Sequence, residues 1–139
     1  MRRLLFHIGM LAGITGIVFF GSGFLSLVAK DPVLTAVAAK YGPHGRFLSL
    51  AMLWANTMLS LAVALGSALM GRRTMAPTRR GPMSTALGYL LLSPTFVWAA
   101  LDSMWTYGEP ARALPLLLPA IFCWAMAVAC LVQWRRAGR

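Results

Sequence analysis

Few side chains in this chain could carry acid–base, thiol or metal chemistry. The sequence has three acidic residues, two histidines and two cysteines. Cys123 and Cys130 are seven residues apart, so on one helix their Cα atoms lie about 10 Å apart, beyond the ~7 Å limit for a disulfide. His7 and His44 have no second ligand placed to share a haem iron. We therefore predict no catalytic residue, no metal and no cofactor bound by an evident motif, and leave a quinone or a lipid open as ligand.

Three polar side chains are candidates for contacts inside apolar segments, namely Asn56, Ser60 and Asp102. A buried amide in lipid must be hydrogen-bonded, so we expect Asn56 to bond Ser60, a facing carbonyl or a bound head group. The first two partners would hold helices together, whereas contact with a quinone, lipid or solute would make a site. For Asp102 we expect a solvated helix cap or an ion pair with Arg46 or Arg112, with proton or cation binding as the alternative.

The composition indicates that these side chains lie on membrane-spanning helices. The chain has 139 residues, of which 59% are hydrophobic and 12% charged, against about 45–50% and 25% in a soluble domain. This excludes a soluble enzyme, a disordered tail and a disulfide-stapled module. Crossing a bilayer takes about 20 apolar helical residues. Four stretches without Asp, Glu, Lys or Arg are long enough, or nearly so: 4–29, 47–70, 84–101 and 113–134.

We therefore predict an all-α polytopic membrane protein, a bundle of four transmembrane helices forming one integral membrane domain over residues 1–139. Between the first two spans, residues 32–40 predict a short amphipathic helix. Asp31 suits its N-cap, Pro32 its first position and Gly42 the residue past its end. We expect this helix to lie in the membrane interface, with a re-entrant cap or a docking surface as alternatives.

Proline interrupts the third span at Pro94 and leaves one backbone carbonyl without its amide partner. Ser93 and Thr95 flank this proline, and either hydroxyl could donate to that carbonyl. We expect one of them to do so.

The basic residues predict the orientation. Nine of the thirteen lysines and arginines fall at the two termini and between spans two and three, and four fall on the other side. The positive-inside rule then predicts that both termini lie on the cytoplasmic side of the membrane, which we expect to be a bacterial-type inner membrane. The first span is longer than a leader's usual 7–15 apolar residues, so we expect it to be retained. We expect the arginines between spans two and three either to set the orientation of the protein in the membrane or to bind lipid head groups: Arg72, Arg73, Arg79 and Arg80.

Small residues recur every three or four positions on the first and fourth spans. This rhythm brings them to one helix face, where they let a neighbouring backbone approach closely. We predict two helix-packing seams: Gly9, Gly13, Gly16 and Gly23 on the first span, and Ala120, Cys123 and Ala127 on the fourth.

Residues 16–71 resemble the DoxX/DoxD-like superfamily of small four-helix membrane proteins. The first span ends in Phe-Phe-Gly-Ser-Gly-Phe-Leu-Ser-Leu at 19–27, an Asp-Pro-opened helix and a Gly-Pro turn follow, and the second span ends in glycine before a basic loop. The family would have a lysine near Ser26 or Leu27 and often a glutamate near Asn56. Relatives include a subunit of a thiosulfate–quinone oxidoreductase and membrane partners of redox enzymes, so the resemblance implies an accessory subunit.

We thus expect a non-catalytic integral membrane subunit or scaffold of a larger membrane complex, with a quinone-linked redox assembly as one such complex. Its partners would be membrane lipids and other membrane protein subunits. Nucleic acid is not expected, because the basic residues lie at the ends of the spans. One alternative is a small solute transporter or channel, acting alone or as a homo-oligomer, with Asn56, Ser60 and Asp102 on its path. Another is an enzyme subunit with Asn56 and Tyr89 in a quinone pocket.

Overall fold

A computed structural model of the protein describes residues 1–71 and 80–136. The described residues form five helices and no strand, and the four long ones have the length and apolar composition to cross a membrane. The predicted all-α, four-span architecture is confirmed. The helices are α1 Arg2–Val28, α2 Pro32–Ala39, α3 Gly45–Gly71, α4 Arg80–Tyr107 and α5 Pro110–Arg136.

The four long helices form a row in chain order. Helix α1 packs on α3, α3 on α4 and α4 on α5, whereas α1 and α5 make only marginal contact. Neighbours run antiparallel. We call the end at which α1 and α4 begin the basic end, and the opposite end, where Asp31, Asp102 and Glu109 lie, the acidic end. The row is therefore an incompletely closed bundle.

Helix α2 begins as its sequence predicts. The Asp31 carboxylate accepts hydrogen bonds from the amides of Val33 at 3.0 Å and Leu34 at 3.1 Å, and Pro32 occupies the first position. Of its residues only Ala38 is buried, while Val33 is 69% exposed. Helix α2 thus touches the bundle along a narrow line and keeps apolar side chains on its outer surface.

The glycine seam of α1 lies against α3. A Cβ at Gly9 would overlap Ser67 and one at Gly16 would overlap Ser60, while one at Gly13 would come within 2.7 Å of the Ala64 backbone nitrogen. Gly23 lies nearer the acidic end, where its Cβ would make only a tight contact, at 3.3 Å, with a Leu53 methyl group. The seam of α5, Ala120, Cys123 and Ala127, is buried.

Helix α4 continues through Pro94. A proline cannot donate to the carbonyl four residues earlier, which here belongs to Leu90. The Ser93 hydroxyl donates to that carbonyl at 2.8 Å. The expectation that a neighbouring hydroxyl compensates the proline is confirmed for Ser93.

The close approach at Gly13 generates a stability prediction with a control on the same helix. We expect Gly13→Ala to lower the free energy of unfolding by about 1–3 kcal/mol, because the methyl group would meet the backbone of Ala64, which cannot rotate away. At Gly21 a Cβ would meet only a Thr57 methyl group at 3.8 Å. Gly21→Ala should therefore be neutral or stabilising by up to about 1 kcal/mol.

Reversible unfolding in mixed detergent micelles, followed by circular dichroism, measures both variants. Equal effects of the two substitutions would contradict the close packing of α1 on α3.

Candidate functional site

A cavity of about 510 Å³ opens between α1 and α5, where the two ends of the row fail to meet. We call it the lateral groove. Leu11 and Phe19 at its α1 edge are 71% and 69% exposed, so the groove opens through the side of the helix row. Its other principal lining residues are Ala12, Gly16, Phe20, Ser60, Tyr89, Phe96, Phe122 and Cys123.

Aromatic rings from three helices form much of the groove wall. Phe20 of α1 and Phe96 of α4 have ring centroids 6.2 Å apart. Tyr89 of α4 and Phe122 of α5 meet edge to face at 5.9 Å, with an interplanar angle of 84°. Both separations are within the range of favourable aromatic pairs. The groove therefore offers flat apolar surfaces to which a planar apolar group would be complementary.

One polar group at the groove has no partner. Tyr89 is 1% exposed, and its hydroxyl makes no hydrogen bond within the described part of the chain. The Ser67 hydroxyl is likewise buried without a partner, and both hydroxyls lie near Gly9. An unsatisfied buried hydroxyl costs about 1–3 kcal/mol. Gly9 and Ser67 do not line the groove, so a ligand in the groove would reach the Tyr89 hydroxyl only after this side chain turns toward the groove.

The side chain of Asn56 joins two helices through a partner that was not among those expected for it. Its side-chain oxygen accepts from the Thr95 hydroxyl at 3.0 Å, across the α3–α4 interface. Ser60, one turn along, donates to the Asn56 backbone carbonyl at 2.8 Å and also lines the lateral groove. The side-chain nitrogen of Asn56 is buried without a partner in the described residues. The structure thus brings Asn56 and Ser60 together, with only Ser60 at the groove.

Asp102 does not belong to this group. It is half-buried near the acidic end of α4, about 10 Å along the helix from Thr95. Within the described residues no ion pair joins Asp102 to Arg46 or Arg112, and the alternative of a solvated helix cap stays a prediction. The two arginines contact other groups. Arg112 pairs with Glu109 at 2.7 Å, and Arg46 donates to the Leu27 carbonyl at 3.4 Å.

Of the other predicted residues, Gly16 and Cys123 line the groove, and the rest lie away from it or outside the described residues. Arg80 is exposed at the start of α4. Arg72, Arg73 and Arg79 fall outside the described residues. Cys130 is a buried free thiol, as is Cys123 at the groove. The described residues contain no cluster of three or more potential metal ligands.

Sequence reasoning named Tyr89 for a quinone pocket, but paired it with Asn56, which does not line the groove, and missed the aromatic residues that do. Tyr89 was the available signal, because a tyrosine in the middle of an apolar span must find a partner for its hydroxyl. The convergence of Phe20, Phe96 and Phe122 was not visible, because it depends on how three helices are placed. The spacing within one helix carries no information on this.

The fold and the groove define a multi-pass membrane protein with a laterally open apolar site. Comparison with family models, with curated proteins and with solved structures finds no match for this chain. The DoxX-like resemblance therefore stays a prediction.

The Asn56–Thr95 hydrogen bond generates a second stability prediction. A double-mutant cycle of Asn56→Ala and Thr95→Val should give a coupling energy of about 0.6 kcal/mol, and at most about 1.7, as for other interhelical hydrogen bonds in membranes. Thr85 is the control residue, because its hydroxyl donates to the Gly81 carbonyl of its own helix at 2.9 Å. A cycle with Thr85→Val should give coupling near zero. Unfolding in mixed micelles measures both, and equal coupling would refute the α3–α4 bond.

Proposed function

We propose that this protein is a non-catalytic integral membrane subunit of a larger membrane complex, and that the complex is a quinone-linked redox assembly. The observation that carries the proposal is the lateral groove itself, which opens through the side of the helix row and is walled by aromatic rings. We place the complex in a bacterial-type inner membrane with both termini of this chain in the cytoplasm, because nine of thirteen basic residues fall on that side.

The form of the groove supports a lipid-soluble ligand. It opens between α1 and α5, at the exposed Leu11 and Phe19, so that its ligand enters from the bilayer. Its walls are apolar and aromatic, as the ring and tail of a quinone require. A quinone carbonyl is a hydrogen-bond acceptor, and the Tyr89 hydroxyl is a donor without a partner.

The same lining supports a binding role over a catalytic one. Among the residues that line the groove only Tyr89 and Cys123 carry a group that titrates, and none carries a carboxylate or an imidazole. Tyr89 can orient a carbonyl, but electron transfer needs a donor that a partner subunit would provide. We therefore infer that this chain binds the quinone and holds it beside a redox partner subunit.

The alternative of a solute transporter has less support. Its path would use Asn56, Ser60 and Asp102, but Asn56 is bonded to Thr95 between helices and Ser60 to the backbone of its own helix. A hydrated solute needs polar groups directed into a cavity, whereas the lateral groove is almost entirely apolar.

Gentle extraction tests the subunit assignment. The tagged chain is taken from its own membrane in mild detergent and analysed by native gel and mass spectrometry. The proposal expects a stoichiometric partner that carries a redox cofactor. A lone chain of 15.1 kDa or a homo-oligomer would overturn it and favour the transporter, which liposome flux assays would then test.

The Tyr89 hydroxyl generates a binding prediction. Tyr89→Phe should weaken the binding of decylubiquinone by about 3- to 10-fold, the value of one neutral hydrogen bond. It should not lower the free energy of unfolding, because the hydroxyl has no partner within the described protein. Tyr107→Phe is the matched control, since Tyr107 is 56% exposed at the end of α4. Equilibrium binding to the purified protein measures both, and equal affinities would exclude Tyr89 as the donor.

A further inference from the structure

A second cavity, of about 520 Å³, lies at the basic end, between the start of α1 and the end of α3. It is lined by Arg2, Arg3, Phe6, His7, Met70 and Gly71, and we call it the arginine cavity. It shares no residue with the lateral groove and has no part in the function proposed above. Its volume is within the usual range for small-molecule sites, about 300–1,000 Å³.

The cavity is a built feature of the α1–α3 contact. The Arg2 Nε donates to the backbone carbonyl of Met70 at 2.5 Å. That carbonyl is in the last turn of α3, where the helix supplies no amide partner. On the same side a Cβ at Gly71 would come within 2.5 Å of the Phe6 ring, so helices α1 and α3 are in close contact there. These contacts hold the Arg2 guanidinium in the cavity wall.

No acidic side chain is available at this end of the molecule. The chain has three acidic residues, and all of them lie at the acidic end: Asp31 caps α2, Asp102 is near the end of α4, and Glu109 precedes α5 and pairs with Arg112. Arg2 and Arg3 are joined at the basic end by Arg80, Arg135 and Arg136. The side chains at this end therefore give the arginine cavity a strongly positive potential.

The lining also has an apolar part. Phe6 is half-buried and Met70 is 3% exposed, and both lie beside the cationic groups. Because α1 and α3 are membrane-spanning helices, the cavity lies where such helices leave the hydrocarbon. An anion with an apolar portion would contact both parts of this lining, whereas a small inorganic anion would contact only the arginines.

We propose that the arginine cavity binds the phosphate of an anionic phospholipid. Arg3, with Arg2 beside it, contacts the phosphate oxygens, to which guanidinium groups are complementary in charge and geometry. Phe6 and Met70 contact the glycerol and the first methylene groups. A phospholipid and free inorganic phosphate both offer a phosphate oxyanion to the arginines. The apolar lining favours the phospholipid over free phosphate.

Lipid titration of the purified full chain tests this proposal. Native mass spectrometry in a neutral detergent measures the binding of phosphatidylglycerol, with phosphatidylcholine as the zwitterionic comparison and inorganic phosphate as competitor. We expect saturable retention of phosphatidylglycerol, at least several-fold preferred over phosphatidylcholine. Millimolar inorganic phosphate should not displace it. Displacement by inorganic phosphate would overturn the lipid as the source, and absence of retained phosphatidylglycerol would overturn the site.

A matched pair of double variants separates the site from general charge attraction. Arg2→Gln with Arg3→Gln should weaken phosphatidylglycerol binding about tenfold or more. Arg135→Gln with Arg136→Gln removes the same charge at the same end from residues that do not line the cavity, and should change binding less than twofold. Equal losses in both pairs would refute a specific site.

Single substitutions keep the test valid if the loss of the Arg2–Met70 hydrogen bond impairs folding. Arg3 is exposed, so Arg3→Gln should fold and still lose several-fold in affinity, and Arg3→Lys should restore part of it. Full affinity in Arg3→Gln would count against the proposal. Tyr89→Phe should bind phosphatidylglycerol as the parent chain does, so that this result is independent of the quinone proposal.

Discussion

The close approach of α1 to α3 is the contact on which the rest of the structure depends. In a bilayer the hydrophobic effect does not drive helices together, because lipid tails are as apolar as the side chains, and association depends on close packing and interhelical hydrogen bonds. Gly9, Gly13 and Gly16 leave the space into which Ser67, Ala64 and Ser60 fit. Any side chain on that face would separate the helices and displace Ser60 from the groove.

The lateral groove and the arginine cavity both follow from this pairing. The small residues of α1 pack on α3, while its aromatic residues Phe19 and Phe20 line the groove. Helix α5 in turn uses Ala120, Cys123 and Ala127 against its own neighbours. At the basic end the same α1–α3 contact brings Arg2 to the Met70 carbonyl in the last turn of α3.

Much of the fold could be predicted from the sequence, because each predicted feature is local. Apolar length determines the four spans, and Asp31 with Pro32 determines the start of α2. Pro94 leaves the Leu90 carbonyl without an amide donor, and the neighbouring Ser93 hydroxyl donates to it instead. The groove could not be predicted, because it depends on the order in which helices neighbour one another. The pairing of Arg112 with Glu109, three residues earlier, is by contrast local, and the i,i+3 spacing could have indicated it.

The order of the helix row has a consequence for biogenesis. Each long helix packs mainly on the long helices that precede and follow it in the chain, so every helix after the first finds its partner already in the membrane when it is synthesised. Gly108, with φ of +67°, and Glu109 alone separate α4 from α5, so these two helices form a hairpin that can enter the bilayer as a unit. Among the described helices, only the marginal contact of α5 with α1 has to wait for the last helix to return to the first. Such a local topology favours rapid assembly with few misfolded intermediates.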